Sequence, residues 1–156
     1  IKIISKLPYN DGTELVFRWL DTPNLIDSIT LMLQKEVVYR ICAKHSTKAY
    51  GKLSVMCQNL AEVSKEFDVS PKAFYPPPKV HSSIVTIIPK KPLLDSELIT
   101  NLRAISHKAF MMRRKMVKKA LHPLSEELLL SVGINPSDRP EDLSPADYLA
   151  LAKRIL

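Results

Sequence analysis

The first residues that could form a ligand site are Lys6-Leu7-Pro8-Tyr9, which follow the apolar run at 1–4 (IKII). A β-branched run that ends in a Pro-Tyr turn is typical of a buried strand whose carboxyl end opens into a loop. In open α/β sheets, ligands bind beyond the carboxyl ends of the strands. Because proline fixes φ, Pro8 makes this turn rigid. The sequence therefore predicts a preorganised binding turn at residues 6–9.

A second candidate site is a basic segment between Leu98 and Ser125, which contains no Asp or Glu. A solvated face normally carries acids between its bases. Arg114 is spaced i,i+4 from Lys118, so on one helix these like charges repel unless a polyanion lies against them. We interpret the segment as the footprint of a nucleic-acid phosphate backbone. The candidate contacts are Arg113, Arg114, Lys115, Lys118 and Lys119.

Composition indicates a globular protein with an excess of positive charge. The chain has 156 residues, of which 46% are hydrophobic and 25% charged, and a net charge of +7. This charge permits a polyanionic partner, but a protein with an ordinary charged surface explains it equally well. No apolar run approaches eighteen residues and no signal-peptide pattern is present, so we expect no membrane span and a cytoplasmic location. We also expect a monomer.

The thiols and imidazoles are not spaced as metal ligands. Cys42 and Cys57 are the only cysteines, which indicates a reducing compartment and buried, inert side chains. The four histidines are scattered along the chain. We therefore expect no metal site.

The pattern of elements predicts an α/β fold followed by helices. Strands are predicted at 1–4, 28–33, 62–69 and 82–88, and helices at 13–20, 35–43 and 49–58. After a boundary at 89–95, helices are predicted at 98–110, 114–121, 125–132 and 145–155. We therefore expect half of a doubly wound sheet in domain 1–92 and a small all-helical, RNA-binding domain at 93–156.

Several motifs together resemble the rRNA adenine dimethyltransferase family. Lys6-Leu7-Pro8-Tyr9 is similar to the Asn-Leu-Pro-Tyr motif of N6-adenine methyltransferases, with Lys6 in place of Asn. Further matches follow in order at 32–38 (MLQKEVV), 50–55 (YGKLSV), 73–80 (AFYPPPKV) and 109–115 (AFMMRRK). The resemblance is to the bacterial enzymes that dimethylate two adjacent adenines near the 3′ end of small-subunit rRNA.

The resemblance implies an activity, a cofactor and a partner. The activity is N6,N6-dimethylation of two adjacent adenines during ribosome assembly, with S-adenosylmethionine as methyl donor and the immature small ribosomal subunit as substrate. The chain has only three glycines, and none forms a Gly-rich cofactor loop. We therefore expect the cofactor-binding half of a Rossmann-like methyltransferase sheet to precede Ile1. We expect this chain alone to be inactive.

The resemblance also implies roles for the candidate site residues. An exocyclic adenine amine is a poor nucleophile, and the family holds it with the Asn side chain and the next carbonyl, here that of Leu7. Tyr9 would stack on an adenine swung out of the RNA. Phe74, rather than its neighbour Tyr75, would close the other face of the pocket. The alternative for Phe74 is simple packing in the core.

Lys6 departs from this scheme. Its ammonium has three hydrogen-bond donors and no acceptor, so it cannot replace the Asn carbonyl. It is also the one residue of this chain that we place beside the cofactor, where its charge is unfavourable next to a cationic sulfonium. We consider three explanations: a natural variant with reduced activity, a deliberate substitution, or a lysine that swings toward phosphate. Lys6 thus keeps open an alternative function, a non-catalytic rRNA-binding assembly factor.

Other interpretations remain for three features. Lys35 could lie near RNA phosphate, but we favour a simple surface pair between Glu36 and Arg40. The segment 139–144, with Tyr148, resembles the family's closing motif, and we favour a role in capping and packing the last helix. Methylation of large-subunit rRNA is a weaker possibility, since the motifs at 50–55 and 109–115 favour the small-subunit branch.

Overall fold

The chain divides into two compact units. The structure, a computed structural model, describes residues 1–7, 12–21 and 25–155. The sheet unit comprises Ile1–Cys42 and Leu60–Leu93, and the helical unit comprises Ala43–Asn59 and Leu94–Leu156. Pro8 and Tyr9, both predicted site residues, lie outside the described residues.

The sheet unit contains four strands in the order β1-β2-β4-β3. Its elements are β1 (Lys2–Lys6), α1 (Gly12–Leu20), β2 (Ser28–Gln34), α2 (Lys35–Cys42), β3 (Ala61–Val69) and β4 (Ser82–Pro89). β1 and β2 are parallel and are joined through α1, whereas β4 is antiparallel to both of its neighbours. The expected α/β class is confirmed, as a mixed sheet with helices.

The mixed strand directions differ from the expected doubly wound sheet. A parallel pair requires a crossover of a dozen or more residues, usually through a helix. The connection from β3 to β4 contains only one short 3₁₀ helix, Pro71–Ala73, so the two strands return as an antiparallel pair.

The core of the sheet unit lies on alternate residues of the central strands. Ile29, Leu31 and Leu33 of β2 are buried, as are Val85 and Ile87 of β4. This alternation is what a strand with one covered face requires.

Within the part of the chain that the structure describes, β1 is not covered as the sequence predicts for a buried strand. Among the described strands β1 lies at the edge of the sheet, with β2 as its single hydrogen-bonded neighbour. The side chain of Ile4 is 82% exposed.

The helical unit contains the remaining helices and most of α3. These elements are α3 (Lys52–Leu60), α4 (Ser96–Met111), α5 (Val117–Ala120), α6 (Glu126–Ser131) and α7 (Pro145–Arg154). The predicted helix starts at Ser125 and Ser144 are confirmed, since these hydroxyls accept from the amides of Leu128 and Asp147.

The helix predicted at 114–121 is much shorter in the structure. The amide of Val117 donates to the carbonyl of Asp138 at 2.6 Å, and that of Lys118 donates to Pro136 at 3.1 Å. These long-range bonds fix the start of α5 at Val117. Arg114 precedes the helix, so the i,i+4 repulsion predicted between Arg114 and Lys118 does not arise.

The segment 43–59 belongs to the helical unit, although the sequence analysis placed it in the first domain. The Tyr50 hydroxyl donates to the Leu143 carbonyl at 2.7 Å, and Asn59 Nδ2 donates to the Pro145 carbonyl at 3.0 Å. Both bonds tie this segment to the end of the chain. The assignment of separate functions to 1–92 and 93–156 stays a prediction.

Candidate functional site

Two predicted site residues of the sheet unit lie in direct contact. Lys6 is the last residue of β1 and pairs with Met32 of β2. Its Nζ lies 4.4 Å from the centroid of the Phe74 ring. Leu7, the next residue, is buried. The structure thus brings Lys6, Leu7 and Phe74 to the carboxyl end of β1.

Phe74 is positioned by the short 3₁₀ helix Pro71–Ala73. The Ser70 hydroxyl caps this helix by accepting from the amide of Lys72 at 3.2 Å. The Phe74 amide closes it by donating to the Pro71 carbonyl at 3.2 Å. The Phe74 side chain is half-buried, whereas that of Tyr75 is 99% exposed. Of the two aromatic residues in this loop, Phe74 is therefore the one held in place. Its ring is neither fully exposed to solvent nor fully buried in the core.

The Lys6–Phe74 contact determines what this end of the sheet can do chemically. A cation over an aromatic face is attracted by about 0.5–1 kcal/mol at exposed sites. Among the described residues, Lys6 forms no ion pair with a carboxylate, and its ammonium brings donors but no acceptor. The pair can therefore stack on a flat ring and donate hydrogen bonds. It offers no side-chain acceptor for an amine.

Lys35 lies in a cluster of charged side chains elsewhere in the sheet unit. Its Nζ is 3.6 Å from Oδ2 of Asp68 and 5.2 Å from the centre of the Tyr39 ring. Lys65 Nζ lies 3.5 Å from Oδ1 of the same carboxylate and 5.0 Å from the same ring. The Ser83 hydroxyl donates to Asp68 and, with both lysines, lowers the pKa of that carboxyl. Lys35 thus has a carboxylate partner within the protein, and its contact with RNA stays a prediction.

The favoured interpretation of the same helix is confirmed. Arg40 Nη2 lies 2.5 Å from Oε1 of Glu36, one turn away on α2. Exposed pairs of this kind contribute only about 0.3–0.5 kcal/mol. The Glu36–Arg40 pair is therefore a minor surface feature.

In the helical unit, Arg113 forms a structural clamp. Its Nη2 donates to the carbonyls of Thr47 at 3.2 Å and Lys48 at 2.9 Å, and to Oε2 of Glu141 at 2.9 Å. One guanidinium nitrogen thus connects three chain segments. This use of its donors gives Arg113 a structural role whether or not RNA also contacts it.

The other basic residues of the segment differ in their surroundings. Lys118 Nζ lies 3.5 Å from Glu126, so part of its charge is compensated. Arg114, Lys115 and Lys119 are exposed, and in the part of the chain that the structure describes no carboxylate pairs with them. These three side chains are the ones free to meet phosphate.

A polar groove of about 510 Å³ lies beside the clamp. Its lining residues are Ser46, Thr47, Lys48, Arg113, Arg114, Arg139 and Glu141. The one acid, Glu141, is already paired with Arg113. The charges of Lys48, Arg114 and Arg139 have no acidic partner among the described residues, so the groove is strongly positive.

Three packed aromatic side chains hold the loop that carries Arg139. The Phe110 ring lies 6.0 Å from that of Tyr50 and 5.8 Å from that of Tyr148. The Tyr148 hydroxyl donates to the Pro140 carbonyl at 2.6 Å. Burial raises the pKa of both tyrosines, so both stay neutral. The favoured structural role of this motif is confirmed.

Comparison with known families identifies the chain. The family model described as "Ribosomal RNA adenine dimethylase" matches residues 1–156. The chain belongs to the ribosomal RNA adenine dimethylase family. The family suggested by the motifs is thereby confirmed.

Curated relatives of this dimethylase-family chain are longer than the chain itself. It is 43% identical over 159 residues to the ribosomal RNA small subunit methyltransferase A of Rhizobium etli, covering 99% of this chain and 58% of that protein. It is 38% identical to the protein of the same name from Wolbachia pipientis, covering 99% and 55%. The chain therefore spans a little over half the length of these relatives.

Solved structures share the fold of this dimethylase-family chain. A dimethyladenosine transferase from Plasmodium falciparum superposes with a TM-score of 0.83 at 22% identity, over 96% of this chain and 65% of that one. The 23S rRNA methyltransferase ErmE superposes with a TM-score of 0.71 at 23% identity, over 99% and 64%. At these identities the likeness shows a common fold.

Sequence reasoning missed two groove residues of this dimethylase-family chain, Lys48 and Arg139. A signal for Lys48 was present, because the interval 37–61 also contains no Asp or Glu and carries four bases. Arg139 lies close to Glu141 and Asp142 in the sequence, so the segment has no excess of positive charge that would indicate a basic site. The amide of Arg139 donates to Asp142, while its own side chain lines the groove.

The described residues carry neither a membrane-spanning helix nor a metal-ligand cluster. No helix among them is long and apolar enough to cross a bilayer. No three His, Cys, Asp or Glu side chains in the described ranges converge as ligands.

Proposed function

We propose that the protein carrying this chain dimethylates N6 of two adjacent adenines in small-subunit rRNA, with S-adenosylmethionine as methyl donor, during ribosome assembly. The observation that carries this proposal is the match of the rRNA adenine dimethylase family along all of residues 1–156. The names of the relatives from Rhizobium etli and Wolbachia pipientis support the small subunit as substrate. This substrate implies a cytoplasmic location. We further propose a monomer.

In this proposal the sheet unit receives the target base. The half-buried ring of Phe74 offers a fixed face, and stacking of a base on an aromatic ring contributes about 1–3 kcal/mol. The backbone carbonyl of Leu7 is the acceptor for the adenine amine, and the buried Leu7 side chain holds it in place. Tyr9 is proposed to stack on the opposite face of the base.

The helical unit is proposed to bind the RNA backbone. The exposed side chains of Arg114, Lys115 and Lys119, together with Lys48 and Arg139 of the groove, supply charges without internal partners. Such contacts fix the register of the protein on RNA and do not read bases. Lys118 and Arg113 contribute less, because each shares its charge with a glutamate. Lys35 contributes less for the same reason, through Asp68.

The described residues do not fit S-adenosylmethionine by themselves. The side chain closest in sequence to the expected cofactor position is Lys6, and its ammonium repels a cationic sulfonium. The chain also has no Gly-rich loop. We therefore propose no role in methyl transfer for a contact between this chain and the cofactor.

A second function is favoured by one observation. The Lys6 ammonium stands over Phe74, on a ring where the adenine would stack, and brings no acceptor for the amine. A protein that binds immature small subunits without methylating them would tolerate this arrangement. The second candidate is therefore a non-catalytic rRNA-binding assembly factor.

The two functions are separated by a methylation assay. Full-length protein is incubated with S-adenosylmethionine labelled in its methyl group and with immature small subunits, and modified nucleosides are identified by mass spectrometry. The proposal predicts labelled N6,N6-dimethyladenosine at two adjacent positions. Subunit binding without any labelled adenosine would establish the assembly factor instead.

A further inference from the structure

We propose that Tyr75 stacks on the nucleotide next to the target adenine and holds it while the target base leaves the RNA stack. The inference rests on the proposed function, in which Phe74 receives the target base. It goes beyond that proposal because it gives the second aromatic residue of the loop a ligand of its own. The observation is that the Tyr75 ring is 99% exposed directly beside the half-buried Phe74.

The Tyr75 side chain contributes little to the fold. Aromatic rings are large apolar groups, and they stabilise a core or an interface when they are buried there. Among the described residues, Tyr75 is the most exposed of the large hydrophobic side chains. Its hydroxyl forms no hydrogen bond with any other residue that the structure describes. The whole ring is therefore available to a ligand.

The backbone directs the two rings to opposite sides of the loop. Phe74 is extended, with φ −118° and ψ 153°. Tyr75 precedes Pro76, and a residue before proline is restricted to the extended region. Successive side chains of an extended chain point to opposite faces. One ring can therefore stack on the extruded base, while the other meets the strand that this base has left.

Extrusion of the target base creates the need for such a contact. Taking a base out of its stack costs a few kcal/mol, and the neighbouring base loses a stacking partner. An aromatic side chain stacks on any base, because every base has a π-face. Tyr75 thus offsets part of the cost of extrusion by replacing the partner that the neighbour has lost.

The charge around Tyr75 also fits RNA. The interval 69–94 contains no Asp or Glu, and the loop itself carries Lys72 and Lys79. Both lysines are exposed, and in the described ranges no carboxylate pairs with them. Proteins bind single-stranded nucleic acid with stacking rings in a positively charged setting of this kind. This favours RNA over an apolar protein surface as the partner of Tyr75.

The test measures the affinity of full-length protein for small subunits without a methyl donor. The subunits are assembled from unmethylated rRNA with a ligated synthetic segment, which carries an abasic site on the 5′ or the 3′ side of the target adenine. For wild type, the abasic site on one of these sides should weaken binding about fivefold to thirtyfold. Tyr75→Ala should weaken binding to intact subunits equally, with no further loss on the abasic ones.

Two further variants control the measurement. Tyr75→Phe keeps the ring and should restore the affinity that Tyr75→Ala loses. Phe67→Ala removes another exposed ring of the sheet unit, 59% exposed on β3, and should leave the affinity unchanged. Melting temperatures of all variants show that each is folded.

Each outcome decides for or against the role of Tyr75. Equal affinity of wild type for intact and both abasic subunits would overturn the inference and leave the proposed RNA binding intact. A further loss on abasic subunits in Tyr75→Ala would also overturn it, because the ring would then contact something else. Absence of methyl transfer in the assay above would contradict the proposed function alone, since this coupling is measured by binding. Failure of wild type to bind small subunits would contradict both.

Discussion

Nη2 of Arg113 lies 2.9 Å from Oε2 of Glu141 and at the same time donates to the carbonyls of Thr47 and Lys48. The clamp connects the turn after α4 with two segments that are distant in sequence. It also occupies the one acid of the basic groove, so the neighbouring charges remain uncompensated. A residue predicted to bind RNA thus shapes the surface on which other residues can do so.

Arg113→Ala should destabilise the protein by about 1–2 kcal/mol, because it leaves two carbonyls and a carboxylate without their donor. Arg114→Ala is the matched control, since its exposed side chain makes no such bonds, and should change stability by less than about 0.5 kcal/mol. Urea unfolding of both variants measures the difference. Equal stabilities for the two variants would show that the clamp is not structural.

The two buried tyrosines predict a loss of stability at alkaline pH. Burial raises the pKa of Tyr148 and Tyr50 in the folded state. In the unfolded chain the pKa of tyrosine is about 10. Above that pH the unfolded chain binds fewer protons than the native one, so stability falls by up to about 1.4 kcal/mol per pH unit for each tyrosine. At lower pH both forms are protonated and this term is constant.

Tyr148→Phe isolates one of these groups. It should be less stable at neutral pH by about 1–3 kcal/mol, because the Pro140 carbonyl loses its donor, yet its stability should fall less steeply above pH 10. Tyr75→Phe, at a 99% exposed ring, controls for loss of a hydroxyl at neutral pH. Denaturant unfolding between pH 7 and pH 11 gives both quantities. Identical slopes in Tyr148→Phe and wild type would contradict this role of burial.

Local patterns were sufficient to predict part of this fold. The alternation of Ile29, Leu31 and Leu33 marks β2, and the hydroxyls of Ser125 and Ser144 mark two helix starts. These signals depend on neighbours within a few residues. Each element they describe was found close to its predicted position.

Long-range contacts account for the errors. The start of α5 depends on the carbonyls of Pro136 and Asp138, and the place of the segment 43–59 depends on the bond between Tyr50 and Leu143, 93 residues apart. At the candidate site, the sequence alone was sufficient to show that Lys6 does not suit an adenine amine, because its ammonium has no hydrogen-bond acceptor. The resemblance placed Lys6 and Phe74 in one pocket, but no local pattern predicts that the Lys6 ammonium lies over the Phe74 ring, because this contact joins the end of β1 to the loop after β3.

The exposed basic residues predict a salt-dependent RNA affinity. Neutralising Lys115 and Lys119 together, by substitution with Gln, should reduce the slope of log affinity against log salt by about 0.7–0.9 for each lost phosphate contact. Lys153→Gln, at an exposed lysine on α7, should leave the slope unchanged. Affinity is measured at several salt concentrations, with melting temperatures of the same variants. An unchanged slope in a well-folded double variant would remove these lysines from the RNA surface.

We propose that the end of β1 is a base-binding site restrained by Lys6. The most direct test of this proposal is the single-turnover rate of methyl transfer to adenine in immature small subunits by full-length wild type, Lys6→Asn and Lys2→Asn. We expect a faster rate for Lys6→Asn, because an amide restores an acceptor beside Leu7 and frees the face of Phe74. We expect no change for Lys2→Asn. Equal rates for wild type and Lys6→Asn, with subunit binding intact, would contradict it.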